Sequence, residues 1–79
     1  MARKMVDDAR AEALFVSAVQ GSEQPTPGLV LAAIRQAVRA YGTRGCAERV
    51  AYEYGEHPEL ATMRMSWANA QVRAVFDHA

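Results

Sequence analysis

The sequence predicts an all-α domain built from four helices, and three observations lead to that prediction. Alanine, the strongest helix former, supplies sixteen of the 79 residues. Apolar residues recur at spacings of three and four, which is the period of an amphipathic helix. Glycine and proline residues divide these periodic stretches from one another. The predicted compact four-helix domain has helices at 8–20, 27–41, 44–54 and 58–76 and includes the whole chain, with residues 1–5 frayed.

Bulky apolar residues are scarce, so the predicted core is thin. Leucine, isoleucine, valine and phenylalanine together number only fifteen. The net charge is zero, which argues against the disorder that a highly charged chain of this kind would show. A thin core leaves a shortage of buried apolar area, which close helix packing through alanine or a partner's surface can supply. We therefore expect a protein partner or self-association.

The first helix is predicted to begin at Asp7 and Asp8, since carboxylates are favourable at a helix N-terminus. Phe15 and Val19, four residues apart, are its expected anchors in the core. Gly21 should end it, and the polar, proline-containing residues 21–26 should form an irregular connection.

The second helix has the clearest end signals in the chain. Thr26 is a good N-cap, Pro27 fits the first helical position, and Gly42 fits the residue that follows a helix. The inner stripe predicted for it comprises Leu31, Ile34, Val38 and Tyr41, widened by Val30 and Ala37.

The third helix is predicted to bury its small residues and to end at Gly55. Residues expected to point inward are Cys46, Ala47, Val50, Ala51 and Tyr54. The residue before a proline avoids the helical region, so His57 is predicted to cap the last helix and Pro58 to begin it.

The last helix is predicted to be the longest, at about 28 Å. Its inner stripe comprises Leu60, Ala61, Met65, Ala68, Val72 and Val75. Met63, Trp67 and Phe76 lie at the margins of that stripe, and aromatic and methionine side chains are enriched at protein interfaces. Because the short third helix covers only part of this surface, these three residues are the candidates for a protein interface. The alternative for Trp67 is that it completes the core against the first helix.

Residues 47–67 resemble the helix-turn-helix unit of bacterial transcription regulators. A short helix carrying Val50 and Ala51 is followed by Gly55 as the turn and then by a second helix. The resemblance implies that the second helix enters the DNA major groove. The candidate DNA contacts are Arg44, Arg49, Thr62 and Arg64.

The charge pattern makes DNA binding the alternative rather than the preferred function. Phosphate contacts supply much of the affinity for DNA, and a chain of zero net charge has no overall attraction to it. Glu56 and Glu59 also lie where phosphates would have to approach.

No residue is assigned to catalysis, to a cofactor or to a metal. Cys46 follows Arg44, a setting that favours thiolate formation, but a lone cysteine among alanine and valine is usually buried filler. His57 has no second histidine at the helical spacing that zinc sites use. The sequence has neither a glycine-rich phosphate loop nor a nucleophile elbow, so we expect a protein that is not an enzyme.

The preferred function is therefore a small helical binding or regulatory module that engages a protein partner or a second copy of itself. Acidic residues interrupt the basic start, which argues against a signal peptide, and no stretch is long enough to span a membrane. A cytoplasmic location without membrane contact is expected. The bias towards alanine, arginine and valine is typical of GC-rich bacterial genomes.

Overall fold

The computed structural model shows an all-α protein with three α-helices, which confirms the predicted class but not the predicted number of helices. Helix α1 comprises Ala2–Val16, α2 comprises Pro27–Glu56 and α3 comprises Pro58–Phe76. A single 3₁₀ turn, Gly21–Glu23, lies between α1 and α2. The structure describes the backbone of residues 2–77 and the side chains of residues 5–77. Each helix packs against the other two.

Helix α2 joins two of the predicted helices across a bend at Gly42. The backbone of Gly42 has φ 70° and ψ 167°, a combination that is essentially restricted to glycine. The chain therefore changes direction where the sequence predicted a helix end, but helical turns resume at once instead of after a loop. We refer to residues 27–41 as the first arm and to residues 43–56 as the second arm. The Cys46 thiol donates to the Ala37 carbonyl across the bend, with the two atoms 3.7 Å apart.

The predicted end signals of α2 and α3 are mostly confirmed. The Thr26 hydroxyl oxygen accepts from the Leu29 N–H at 3.2 Å, and Pro27 is the first helical residue. His57 is the single residue between α2 and α3, although its side chain makes no capping hydrogen bond. Gly55 lies inside α2, which continues to Glu56, so the helix end predicted before Gly55 is wrong.

Helix α1 begins and ends earlier than the predicted range 8–20. Residues 2–5, for which fraying was predicted, are helical, and Met1 lies outside the described residues. The helix stops at Val16 because the next residue, Ser17, turns back on it. The Ser17 hydroxyl donates to the Leu14 carbonyl at 2.6 Å. Val19 then packs into the core from outside the helix.

The core lies between α1 and the other helices and is rich in small residues, as predicted. Six of its fourteen buried residues are alanine. In the first arm of α2 the buried stripe is rotated from the predicted one, and Val38 and Tyr41 are 36% and 42% exposed. Ala33 and Ala37 place only small side chains on the buried face, which allows the neighbouring helices to pack closely. The buried residues are Ala11, Ala13, Leu14, Phe15, Val19, Val30, Ala33, Ile34, Ala37, Cys46, Val50, Ala61, Ala68 and Val72.

The inner stripe predicted for α3 is confirmed in part. Ala61, Ala68 and Val72 are buried, whereas Leu60 is 66% exposed. On the second arm of α2, Tyr54 and Ala51 were also predicted to point inward and are exposed. Across residues 2–77, none of the helices combines the length and the apolar character needed to cross a bilayer.

Candidate protein-binding surface

Arg64 on α3 joins the end of α1 to the rest of the protein. Its Nε donates to the Phe15 carbonyl at 3.0 Å, and its Nη2 donates to the carbonyls of Leu14 and Ser17 at 3.2 and 3.1 Å. The last carbonyls of a helix lack internal partners and form the negative end of its dipole. The Arg64 guanidinium supplies N–H donors to these carbonyls and a positive charge at the negative end of the helix dipole. The guanidinium also lies 4.4 Å from the ring centroid of Trp67.

Burial lowers the pKa of Arg64. The guanidinium nevertheless stays protonated, because arginine in proteins does not lose its charge. Arg64 therefore acts as a permanent cationic cap that fixes the position of α3 against α1.

A cleft of about 700 Å³ lies between the end of α1, the second arm of α2 and the start of α3. Its apolar lining includes Phe15, which is buried and whose ring stacks on that of Tyr54 with centroids 6.4 Å apart. The residues that line the cleft are Phe15, Val16, Ser17, Glu48, Arg49, Tyr52, Glu53, Leu60, Ala61 and Arg64.

Three large apolar side chains beside this cleft are mostly exposed. Tyr52 and Leu60 line the cleft and are 64% and 66% exposed. Met63, which is 69% exposed, follows Leu60 at the helical spacing of three and so lies on a neighbouring part of the α3 surface. We call Tyr52, Leu60 and Met63 the contact strip. Covering each of these side chains would contribute about 1–2 kcal/mol.

The carboxylates around the cleft make no ion pair with any cation among the described side chains. Glu48 and Glu53 line the cleft, and Glu56 and Glu59 lie on either side of the α2–α3 connection. The guanidinium of Arg49, the other cation of the cleft, lies 3.9 Å from the ring centroid of Tyr41. Arg49 and Arg64 thus contact groups within the protein, whereas Glu48, Glu56 and Glu59 are exposed and Glu53 is half-buried.

The structure divides the three residues predicted to form an interface. Met63 belongs to the exposed contact strip. Trp67 and Phe76 are only partly exposed and pack against the core. The Trp67 ring lies so close to Gly21 that a Cβ at that position would be 3.2 Å from it. The Phe76 ring lies under the Arg10 guanidinium, 3.8 Å from it.

Two residues of the contact strip were not predicted from the sequence. Leu60 fitted the apolar period of α3 and was therefore assigned to the core. In the structure Leu60 is 66% exposed, whereas its neighbour Ala61 is buried. Tyr52 follows Ala51 in the second arm and gave no sequence signal of its own.

The structure gives the four candidate DNA contacts different environments. Arg44 is exposed, and the Thr62 hydroxyl donates to the Pro58 carbonyl at 2.9 Å. Arg49 and Arg64 both line the cleft, but both guanidinium groups already have partners within the protein. The connection between α2 and α3 is one residue long, shorter than the three or four residues usual in a helix-turn-helix.

The remaining reactive groups show no catalytic arrangement. The Cys46 thiol is buried, and burial raises its pKa, with a further increase from Glu12 and a decrease from Arg49. A raised pKa disfavours the nucleophilic thiolate. Among the described residues, no group of three or more histidine, cysteine, aspartate or glutamate side chains is placed to hold a metal ion.

No protein-family model, no curated protein and no solved structure matches this chain. Its function is therefore argued from the cleft and the contact strip.

Proposed function

We propose that this chain is a small, non-enzymatic, cytoplasmic binding module that engages a protein partner through the contact strip and the adjoining cleft. One observation carries the proposal: Tyr52, Leu60 and Met63 are each more than 60% exposed, Tyr52 and Leu60 line the cleft, and Met63 lies three residues beyond Leu60 on α3. Clustered apolar groups on the surface of a small protein are typical of interaction sites. Tyrosine and methionine are also enriched in interface cores.

The elements that carry the contact strip are well suited to binding. A single residue joins α2 to α3, and the Arg64 cap ties α3 to the end of α1. A surface held in place in this way loses little conformational freedom when a partner binds. The thin alanine-rich core is consistent with this function, since it leaves these bulky side chains outside.

DNA binding by residues 47–67 is the competing proposal. It is supported by the resemblance to a helix-turn-helix unit and by the exposed side chain of Arg44. The carboxylates of Glu48, Glu53, Glu56 and Glu59 around the cleft oppose the approach of phosphates. We therefore favour a protein partner.

The test compares three forms of the protein in pull-downs and in sedimentation. The forms are the wild type, the double variant Leu60→Ser/Met63→Ser, and the control Met5→Ser. Met5 is a matched control because it is a methionine on α1 that is 73% exposed. Circular dichroism first verifies that all three forms fold alike.

We expect the same specific protein, or the same self-associated species, with the wild type and the Met5 variant, and its loss with the double variant. Identical retained proteins and identical sedimentation for all three forms would refute the proposal. Titration of duplex DNA at two salt concentrations tests the competitor. Salt-sensitive binding that is lost in Arg44→Ala/Arg49→Ala would replace the proposed function with DNA binding.

A further inference from the structure

The charges around the cleft indicate what kind of partner it accepts. Glu48 and Glu53 line the cleft, and Glu59 directly precedes Leu60 of the contact strip. No cation among the described side chains pairs with them. Arg49 and Arg64 are directed towards the Tyr41 ring and towards the carbonyls at the end of α1. Both guanidinium groups keep their charge, but the carboxylates of Glu48, Glu53, Glu56 and Glu59 outnumber them four to two around the cleft and the α2–α3 connection, so this surface is acidic on balance.

These charges argue against a second copy as the occupant. In a two-fold dimer the same patch of each copy faces the other. Dimerisation through the cleft would gather four carboxylates from each copy, those of Glu48, Glu53, Glu56 and Glu59, into one interface with only two guanidinium groups from each copy, Arg49 and Arg64. Like charges brought together across an interface disfavour association.

The shape of the surface favours a helix as the occupant. The cleft lies between segments of three helices, and Met63 follows Leu60 of its lining along the surface of α3. A helix that binds in such a groove inserts apolar side chains spaced by three or four residues, and its flanking side chains meet the rim. A rim of carboxylates selects lysine and arginine at those flanking positions.

We infer that the cleft binds a basic amphipathic helix of a partner protein, with its apolar face on the contact strip and its cations against Glu48 and Glu53. This inference rests on the proposed function and adds the chemical class of the partner.

Two designed peptides test the inference by fluorescence anisotropy with the full chain. Both are amphipathic helices of about 18 residues, or roughly 27 Å, with the same leucine positions. The polar positions are lysine in one peptide and glutamate in the other. The protein forms are the wild type, Glu48→Gln/Glu53→Gln and the control Asp8→Asn, which removes an exposed carboxylate on α1.

We expect the wild type to prefer the lysine peptide by at least about tenfold. The glutamine double variant should bind that peptide about fivefold more weakly, as expected for the loss of two exposed ion pairs, and with a smaller salt dependence. Asp8→Asn should leave the affinity within about twofold of the wild type. Leu60→Ser/Met63→Ser should also weaken binding, because it removes the apolar anchors.

Three results would overturn the inference. The wild type binds both peptides equally, it binds neither, or Asp8→Asn weakens binding as much as the glutamine double variant does. The pull-down with Leu60→Ser/Met63→Ser decides the proposed function separately. If that variant loses its captured protein while the peptides show no charge preference, the contact strip is an interface but its partner is not selected by positive charge.

Discussion

Replacing Arg64 with alanine is expected to destabilise the protein more than any other single change on its surface. The guanidinium donates to three carbonyl groups at the end of α1, which lie 47 to 50 residues away in the chain. The Leu14 carbonyl keeps two other donors, the hydroxyl and the backbone N–H of Ser17. In the variant, the Phe15 and Ser17 carbonyls have only water to replace the guanidinium.

The size of the effect follows from these contacts. A hydrogen bond to a charged group contributes about 1.5–3 kcal/mol. Because Arg64 is partly exposed and water reaches the site, we use the lower value for each of the two carbonyls left without a donor. The free energy of unfolding should then fall by about 3 kcal/mol. A domain of this size has a total of roughly 4–12 kcal/mol. At about 4–8 °C per kcal/mol, the melting temperature should fall by roughly 12–24 °C.

Urea unfolding monitored by circular dichroism and by Trp67 fluorescence measures this change. Arg64→Lys should lie between the wild type and the alanine variant, because a single ammonium keeps the charge but lacks the planar arrangement of donors. Arg35→Ala is the control, since Arg35 is exposed on the first arm of α2. A value for Arg64→Ala within about 0.5 kcal/mol of the wild type, the usual range for neutral surface changes, would refute the capping role.

Three further predictions concern the backbone, pH and thiol reactivity. Gly42→Ala should destabilise the protein by about 1–3 kcal/mol, because Gly42 has a φ of 70°. Gly55→Ala, inside α2, should stabilise the protein by about 0.5–1 kcal/mol. The melting temperatures of the two variants should therefore move in opposite directions from that of the wild type. Burial, and secondarily Asp8, raises the pKa of Glu12 above its ordinary value of 4.5, so the folded state holds this proton more tightly than the unfolded chain. Stability from this group therefore falls as pH rises from 4.5 through the folded pKa. Glu12→Gln should be more stable than the wild type at pH 7 and equal to it below about pH 4 in urea titrations, and an equal difference at both pH values would contradict this. Cys46 should react with an aromatic disulfide reagent far more slowly in the folded protein than in guanidinium, and equal rates would contradict its burial.

Local signals in the sequence predicted the elements that depend on local chemistry. Thr26, Pro27 and Pro58 fix helix starts through groups within a few residues of them, and the structure has helices starting there. Gly42 was expected at a helix end because of the backbone conformations open to it. It has such a conformation, although the helical turns resume immediately after it.

Features that depend on contacts distant in sequence were not predicted. The end of α1 is set in part by Arg64, whose side chain was interpreted as a DNA contact because no local pattern links it to α1. Leu60 was assigned to the core by its spacing and is 66% exposed, whereas Ala61 beside it is buried. Tyr41 and Val38 fitted the helical period of α2, but the alanine face beside them packs more closely. Periodicity predicts an apolar side, and packing selects which part of it is buried.

The remote cap on α1 also bears on how the protein is made. The donors that close the first helix belong to a side chain synthesised about fifty residues later. While the ribosome is still translating α2, the last carbonyls of α1 have only water and Ser17 to bond with. The native end of α1 therefore forms only after Arg64 in α3 has been synthesised. A nascent chain that ends at His57, between α2 and α3, lacks this residue.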